Sequence, residues 1–480
     1  MKNSVNSDIN ATMRMIPKVD AVINMQRFEM LSSHAERAEL KRAAREYTGE
    51  LRRRILAGEI TQDDMPAEDE ICAAVAARII KRSDRSLRKA VNATGIVIHT
   101  NLGRAPLGET LISHAAEIAS GYSNLEYDIE KGTRSQRNLH VEKLICEMTG
   151  AEAAVVVNNN ASAVFLALNS MAAGKKTAVS RGELVEIGGS FRVPDIMASS
   201  GTELIEIGTT NKTKVSDYVK AIEEKGAELL LKVHTSNFKI EGFTENVSIS
   251  QLAEIGDKYG CPVIYDIGAA FLIPRELVCI HEGETARGCI KDGADVIMFS
   301  GDKLMGSTQA GIIAGKREYI DTMRTNSFMR MLRPDKLQLA VLEETLIHYL
   351  DTRDAVETIP VLKMLSKSKE ELSANAEKLA ARLRAVCPSC TFEVTACSDE
   401  AGGGSLPGVK INGAAVNVSS NVRRADEIEK YLRTSYDIPV IARIHDGRLL
   451  ISVRTLLDGD ENIIEAAFAK LERDINKERI

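Results

Sequence analysis

The sequence predicts an α/β protein whose large domain is built on a mainly parallel sheet. Three observations carry this prediction. Short apolar runs alternate with helical patterns from about residue 91 to residue 350, purely helical patterns precede them, and a mixed segment follows. We therefore expect a helical N-terminal domain (1–90), a large domain (91–355) and a small α+β C-terminal domain (356–480).

The N-terminal domain is predicted to contain two amphipathic helices, over about 28–57 and 68–89, with a break at Asp63–Pro66. It holds 17 Lys and Arg against 14 Asp and Glu, although the whole chain has a net charge of −6. Its basic residues form two groups that suit a phosphate backbone. They are Lys41, Arg42, Arg45, Arg52, Arg53 and Arg54, and then Lys81, Arg82, Arg85, Arg88 and Lys89. A solvated helix face fits the same pattern, because Glu46 and Glu50 lie among them.

Apolar runs predict the strands of the two later domains, and helical patterns lie between most of them, which favours a sheet covered on both faces. In the large domain the runs are Ile96–Ile98, Ala153–Val157, Thr177–Val179, Glu203–Ile207, Leu229–Val233, Val263–Tyr265, Val296–Phe299 and Gly311–Ile313. A long helical stretch follows over about 336–386. The C-terminal domain is predicted to have strands at Val409–Ile411, Val416–Val418, Val440–Ile444 and Leu449–Val453 and helices at Ala425–Thr434 and Glu461–Arg473.

The composition, with 44% hydrophobic and 27% charged residues, is that of a globular protein. There is no apolar run of membrane-spanning length and no signal-peptide pattern at the N-terminus, so we expect no membrane span and a cytoplasmic location. The 8 cysteines are scattered and do not form a disulfide framework. Cys387 and Cys390 have the spacing of half a metal or redox site, but no second Cys or His pair completes it. We therefore expect no metal, and reduced thiols of no special role.

The most informative stretch is Val296–Gly306, a buried strand that leads directly into a Ser-Gly-Asp-Lys turn. Lys303 thus lies at the carboxyl end of a strand, where open α/β sheets hold their ligands. Partial desolvation there lowers the pKa of an amine, as a Schiff-base lysine requires. Many lysines that follow strands only cap a helix or face water, so the residues upstream decide the interpretation.

Two upstream segments support a cofactor site. The strand Ala153–Val157 is followed by Asn158–Asn160 and small residues that begin a helix, and such a helix start favours a phosphate. Asp266 ends another buried strand, where a carboxylate can keep a pyridine nitrogen protonated. An ordinary Asn N-cap and a loop ion pair are the alternative interpretations. Phosphate cradle, Asp and Lys in this order are the layout of fold-type-I pyridoxal-phosphate (PLP) enzymes.

Longer motifs narrow the interpretation, because the chain resembles the bacterial selenocysteine synthases, the L-seryl-tRNA(Sec) selenium transferases, over nearly its whole length. The resemblance is carried by Ile16–Asp20, Leu51–Gly58, Asn92–Arg104, Tyr122–Asp128, Ser180–Arg192, His234–Asn237, Gly242–Thr244, Ser300–Lys303, Gln309–Ile313, Arg330–Lys336, Gly402–Pro407 and Arg448–Leu450. It implies PLP as cofactor and conversion of seryl-tRNA(Sec) to selenocysteinyl-tRNA(Sec) through an aminoacrylyl intermediate. It also implies selenophosphate as the selenium donor, a tRNA-facing N-terminal domain, and a homo-oligomer, a ring of dimers that is usually a decamer.

The resemblance also implies roles for individual residues. Lys303 binds the cofactor and removes the Cα proton, Asp266 binds the ring nitrogen, and Asp302 is an acid–base group or orients Lys303. Ser300, Asn159 and Asn160 are expected at the cofactor phosphate, and His234 lies near the ring or is a core histidine. Selenophosphate is expected at Arg104, Arg330 and Arg333, because guanidinium forks match phosphate oxygens. Tyr122 and Arg137 are candidates to complete the site from a neighbouring subunit.

Two other functions remain open at this point. A related PLP ammonia-lyase acting on an amino-sugar phosphate would use the same Lys303 and similar arginines, but it has no use for a tRNA-facing helical domain. An inert RNA-binding scaffold on a PLP fold is the other alternative. The presence of Lys303, Asp266 and the Asn-rich helix start argues against it.

Overall fold

A computed structural model describes residues 2–23, 36–83, 85–188, 191–278, 280 and 282–478. The chain forms two compact units, Met1–Lys89 and Ala90–Ile480. No described helix is long and apolar enough to cross a membrane.

The first unit is helical, with α1 (Lys2–Arg14), α2 (Val19–Ile23), α3 (Arg37–Leu56) and α4 (Glu68–Ser83). Helix α3 buries a stripe at helical spacing that includes Leu40, Ala44 and Leu51, as its sequence pattern requires. The predicted start of this helix, over 28–35, lies outside the described residues. The second predicted helix was drawn too long, because α4 ends at Ser83 rather than at residue 89.

The described elements of the second unit alternate along the chain. The helices are α5 (Gly108–Ser120), α6 (Leu139–Thr149), α7 (Asn160–Ala172), α8 (Val193–Ser200), α9 (Val215–Glu223), α10 (Ile249–Tyr259), α11 (Ala286–Lys291), α12 (Arg317–Thr325), α13 (Met329–Leu332), α14 (Lys336–His348), α15 (Thr352–Thr358), α16 (Pro360–Ser366), α17 (Lys369–Val386), α18 (Ala425–Thr434) and α19 (Asp460–Glu478). The strands are β1 (Val91–Asn92), β2 (Tyr127–Asp128), β3 (Thr133–Arg134), β4 (Ala153–Val157), β5 (Lys176–Ser180), β6 (Glu186–Ile187), β7 (Phe191–Arg192), β8 (Glu203–Ile207), β9 (Leu229–Val233), β10 (Val263–Gly268), β11 (Ala270–Phe271), β12 (Glu284–Thr285), β13 (Val296–Ser300), β14 (Gly311–Gly315), β15 (Cys390–Glu400), β16 (Lys410–Ser420), β17 (Val440–Ile441), β18 (Arg443–His445) and β19 (Arg448–Ser452).

The central sheet has seven strands in the order β4-β14-β13-β10-β9-β5-β8. Only β14 runs against its neighbours, so the predicted mainly parallel sheet is confirmed. Strands β4, β10 and β13 are buried along their whole length, because helices pack on both faces. The carboxyl ends of the parallel strands therefore meet at one edge of the sheet, which is where the site lies.

The strand prediction for Ile96–Ile98 was wrong, although the seven other apolar runs of the large domain all fall within strands of this sheet. Ile96 makes an isolated bridge to Glu400, and Val97 and Ile98 bond the backbone just after β15. This segment therefore ties the start of the second unit to its C-terminal part instead of extending the sheet.

The C-terminal segment forms an antiparallel sheet in the order β15-β16-β19-β18, and its core includes residues of α17, α18 and α19. Two predicted strands, 409–411 and 416–418, are parts of the single strand β16, and the equally long β15 was not predicted. The stretch predicted as helical over 336–386 consists of four helices. The later three helices begin after the N-cap Asp351, at Pro360 and after the N-cap Ser368.

Candidate active site

A cavity of about 210 Å³ opens at the carboxyl edge of the central sheet. Its lining includes seven residues that the sequence pointed to: Arg104, Asn159, Asn160, Asp266, Ser300, Asp302 and Lys303. Ala161, Ile187, Gly188, Gly268 and Gln309 complete the wall. The fold thus brings the seven predicted residues together from four separate segments of the chain.

Lys303 lies in the turn that follows β13 and is 5% exposed. Its Nζ donates to the carbonyl oxygen of Gly404 at 2.8 Å. Burial lowers the pKa of Lys303, and the Arg104 charge acts in the same direction, whereas Asp266 and Asp302 oppose the shift. The amine is therefore closer to its unprotonated, nucleophilic form than an exposed lysine would be.

Asp266 lies inside β10 and is 2% exposed. Its Oδ1 accepts from Asn160 Nδ2 at 2.8 Å and from the Gly268 backbone N–H at 3.1 Å. Burial raises the pKa of Asp266, whereas the Asn160 bond, the Lys303 charge and the Gly268 bond lower it. The two donors hold the carboxylate in a fixed orientation at the cavity wall.

The start of α7 supplies the phosphate-type end of the cavity. Asn159 is the N-cap of this helix, and its side-chain oxygen accepts from the Ser162 N–H at 2.8 Å. Asn160 begins the helix, but its side-chain amide donates to Asp266. Asn159 therefore caps the helix, whereas Asn160 supports the Asp266 carboxylate. Ser300, at the end of β13, is buried beside them in the same lining. Helix N–H groups and the helix dipole favour an anion at this end.

Arg104 and Asp302 form an ion pair at the cavity, with Nη1 and Oδ2 2.8 Å apart. Asp302 is buried and its second oxygen, Oδ1, has no hydrogen-bond partner among the described residues. Arg104 has a positive φ of 62°, a conformation that a residue with a side chain seldom adopts. The unpaired oxygen and the remaining guanidinium donors are free to meet a polar ligand.

Arg330 and Arg333 do not line this cavity. Arg330 is exposed on the short helix α13, and Arg333 ends that helix with Nη1 3.3 Å from Glu126 Oε1. Glu126 also pairs with Arg134 and Arg137, and the Arg137 bond lowers the pKa of Glu126. Three guanidinium groups surround one carboxylate, so this patch carries surplus positive charge.

His234 follows β9 and lines a second cavity, of about 580 Å³. Its backbone N–H donates to the Asp266 carbonyl at 2.9 Å, and its side-chain Nδ1 is buried without a partner among the described residues. Burial lowers the pKa of His234, which favours the neutral imidazole. The residue is thus adjacent to the Asp266 strand but outside the lining of the smaller cavity.

Sequence reasoning missed the contact between Lys303 and Gly404, which joins residues 101 positions apart. The Gly402–Pro407 motif contributed to the family resemblance, but the sequence did not indicate where this segment packs. Cys387 and Cys390 belong to the C-terminal core and not to the cavity lining, and Cys387 Sγ contacts Glu472 at 3.4 Å. Across the described ranges, no three His, Cys, Asp or Glu side chains are grouped as a metal site would need.

Comparison with known proteins identifies the family. Residues 90–457 match the family model SelA, L-seryl-tRNA selenium transferase. The chain is 45% identical over 457 residues to the L-seryl-tRNA(Sec) selenium transferase of Geobacter metallireducens, covering 95% of this chain and 98% of the relative. It is 44% identical over 459 residues to the protein of the same name from Caldanaerobacter subterraneus, with the same coverage.

A solved structure supports the fold. A D-glucosaminate-6-phosphate ammonia-lyase superposes with a TM-score of 0.57 at 20% sequence identity, covering 81% of this chain and 97% of the lyase. This likeness confirms the predicted fold class. Together with the family match and the extent of the 44–45% identity, it confirms the resemblance found in the motifs. The chain belongs to the L-seryl-tRNA selenium transferase family.

Proposed function

We propose that this protein converts seryl-tRNA(Sec) to selenocysteinyl-tRNA(Sec), with PLP as its cofactor and selenophosphate as the selenium donor, for selenoprotein synthesis. The observation that carries the proposal is the assembly of buried Lys303, buried Asp266 and the α7 N-terminus around one cavity. Relatives that share 44–45% of their residues with this chain carry the name of this activity.

The residues present fit PLP. A buried lysine with a lowered pKa suits attachment of an aldehyde, a fixed carboxylate suits a ring nitrogen, and the N-terminus of a 13-residue helix suits a phosphate. We assign Lys303 and Asp266 to these first two contacts and Asn159 and Ser300 to the phosphate end. Asn160 begins the helix at that end, but its side-chain amide supports Asp266. When bound, PLP supplies an electron sink for the bond that breaks at Cα.

The side chains around the cavity divide the remaining work. Lys303 takes the proton from the seryl Cα and later returns a proton, because its amine is buried and its pKa is lowered. Asp302 is the candidate to assist departure of the seryl hydroxyl, since its Oδ1 is unpaired while Arg104 holds its Oδ2. Asp266 keeps its charge at the ring nitrogen through the bonds from Asn160 and Gly268.

We assign selenophosphate to Arg104, Arg330 and Arg333. Arg104 lines the cavity, whereas the Glu126 patch that holds Arg333 lies outside it. We therefore infer that a second copy of the chain brings Arg330 and Arg333, with Tyr122 and Arg137, to the cavity of its neighbour. Exposed apolar side chains in this region, Met331 and the fully exposed Tyr122, support such an interface. A ring of dimers that makes up a decamer is the assembly we propose.

We assign tRNA binding to the helical unit. Part of its basic surface is held in ion pairs, as between Lys41 and Asp20 at 3.1 Å and between Arg54 and Glu59 at 3.4 Å. Arg45, Arg52 and Arg53 lie exposed on α3, where they suit tRNA phosphates. Cytoplasmic location remains a prediction that follows from this role.

The test is incubation of the purified protein with PLP, seryl-tRNA(Sec) and selenophosphate, followed by identification of the aminoacyl group released from the tRNA. We expect selenocysteine from the natural protein and unchanged serine from a Lys303→Ala variant that still binds tRNA. The matched control is Lys316→Ala, since Lys316 pairs with Asp295 at the other end of the strand pair. Full activity of Lys303→Ala, or serine as the only product of the natural protein, would refute the proposal. Release of ammonia from an amino-sugar phosphate would favour the lyase alternative instead.

A further inference from the structure

A glycine-rich turn from the C-terminal part of the chain packs directly on Lys303. The turn, Gly402–Ser405, follows β15, and the carbonyl oxygen of Gly404 accepts from Lys303 Nζ at 2.8 Å. Among the described residues, the Gly404 carbonyl is the group that accepts a hydrogen bond from Lys303 Nζ. A carbonyl can only accept, so it stabilises the charged ammonium group more than the neutral amine, which is a weaker donor.

The turn requires glycine for reasons of space and conformation. Gly404 has a φ of +79°, and a Cβ there would lie 3.2 Å from Lys303 Nζ and 3.5 Å from its Cε. Gly402 has a φ of +116°, and its Cβ would lie 2.4 Å from the Ile98 carbonyl oxygen. Any side chain at either position would push the turn away from the lysine or displace the lysine itself.

Buried contacts on both sides hold the turn in place. Inside it, the Ser405 hydroxyl donates to the Gly402 carbonyl at 2.8 Å. Before it, the Ile98 N–H donates to the Ala401 carbonyl at 2.8 Å. The fully buried Asp399, at the end of β15, accepts from Arg454 Nε at 3.0 Å. The Gly404 carbonyl therefore faces Lys303 from a fixed position.

Four charged or titratable groups also face Lys303, but Gly404 rather than any of them accepts from its Nζ, although Asp302 Oδ1 has no partner among the described residues. Asp266 bonds Asn160 and the Gly268 N–H, and Asp302 bonds Arg104. Arg104 has no acceptor atom, and His234 lines the larger cavity rather than the one that Lys303 lines. The backbone carbonyl thus fills a role that neither neighbouring carboxylate fills.

We propose that the Gly402–Ser405 turn is the docking point of the free Lys303 side chain and that Gly404 is a positioning residue of the reaction. The inference rests on the proposed function. When the Cα–H bond of the seryl group breaks, its proton moves to Lys303 Nζ and its electron pair stays on Cα in conjugation with the cofactor. The ammonium group formed in this step needs an acceptor that does not compete for the substrate, and the Gly404 carbonyl provides it.

The experiment measures Lys303 directly in cofactor-free protein. Competitive labelling of lysines with acetic anhydride over a range of pH, read by mass spectrometry, reports the unprotonated fraction of Lys303. In Gly404→Ala we expect about tenfold more labelling than in the natural protein at pH values below the midpoint, because an acceptor for the charged form is lost. Gly408→Ala is the matched control, since Gly408 also has a positive φ, +74°, but a Cβ there meets nothing within 4 Å.

A second variant covers the case in which Gly404→Ala fails to fold. Ser405→Ala adds no atom and only releases the bond that fixes the turn, so we expect a several-fold increase in the same direction. Labelling in Gly404→Ala and Ser405→Ala that equals that of Gly408→Ala would overturn the inference. The proposed function fails separately, if natural protein makes no selenocysteinyl-tRNA, since the labelling does not depend on turnover.

Discussion

The hydrogen bond from Asn160 to Asp266 leads to a quantitative prediction about stability and its dependence on pH. Among the described residues, Asn160 and the Gly268 N–H donate to Asp266 Oδ1, so Asn160→Ala leaves the Gly268 bond at 3.1 Å. A hydrogen bond to an ionised group contributes about 1.5–3 kcal/mol, and one between neutral groups about 0.5–1.5 kcal/mol. The variant should therefore lose more stability where Asp266 is ionised than where it is protonated.

The sign of the pH dependence follows from the pKa. Burial raises the pKa of Asp266 above its ordinary value, so ionisation of this group destabilises the fold as pH rises through the interval between the two values. Loss of the Asn160 bond raises the pKa of Asp266 further. We expect a destabilisation of about 0.5–1.5 kcal/mol below the ordinary pKa, growing to about 1.5–3 kcal/mol above the raised one.

The assay is urea unfolding of cofactor-free protein at acidic and mildly alkaline pH. Asn159→Ala is the control, because this neighbouring residue caps α7 through Ser162 and does not touch Asp266. Its loss should cost about 1 kcal/mol at every pH. PLP affinity should fall roughly tenfold to a hundredfold in Asn160→Ala. The same pH dependence in both variants would show that the Asn160 bond does not support the Asp266 charge.

Three further perturbations test other parts of the structure. Replacing Arg45, Arg52 and Arg53 together by Gln should weaken the binding of seryl-tRNA and reduce the slope of its salt dependence by about one unit per lost phosphate contact. Arg54→Gln should reduce this slope less, because Arg54 is already paired with Glu59. Alanine at Arg104, Arg330 or Arg333 should each reduce selenophosphate-dependent turnover roughly tenfold to a hundredfold at saturating PLP; loss of PLP with unchanged selenophosphate dependence would contradict the assignment. Arg454→Met removes the fully buried ion pair with Asp399, at 3.0 Å, and should destabilise the second unit by about 3–5 kcal/mol in urea unfolding. The double variant Arg454→Met/Asp399→Leu should partly restore this loss.

Local pattern predicted most of the central sheet, because its strands are continuous apolar runs buried on both faces. The unpredicted strand β15 reads Cys-Thr-Phe-Glu-Val-Thr-Ala-Cys-Ser-Asp-Glu, with one sheet face largely polar and few strong apolar residues. Strand β15 forms because it pairs with β16 along eleven residues, although its own sequence has little strand preference. Ile96–Ile98 shows the opposite error, because its apolar run predicted a strand of the central sheet that did not form. An apolar run alone does not determine which segment it pairs with.

The candidate site was predictable wherever a residue follows a buried strand of the sheet. Lys303, Asp266 and the Asn159–Asn160 helix start all meet at the carboxyl edge because of that rule. The division of work between Asn159 and Asn160 depends on side-chain direction, which spacing does not give. The Gly404 contact depends on where the C-terminal segment packs, and Arg330 and Arg333 depend on a neighbouring copy under our proposal. These relations arise from tertiary and quaternary packing, to which local sequence pattern does not extend.

The central claim is that Lys303 is the residue that holds PLP. Borohydride treatment of the PLP-loaded protein fixes the cofactor to its lysine, and peptide mass spectrometry then identifies that residue among the lysines of the chain. We expect a single pyridoxylated peptide that contains Lys303, together with loss of the cofactor's absorbance band and of activity. Stable modification at another lysine, or none at Lys303 in protein that remains active, would contradict it.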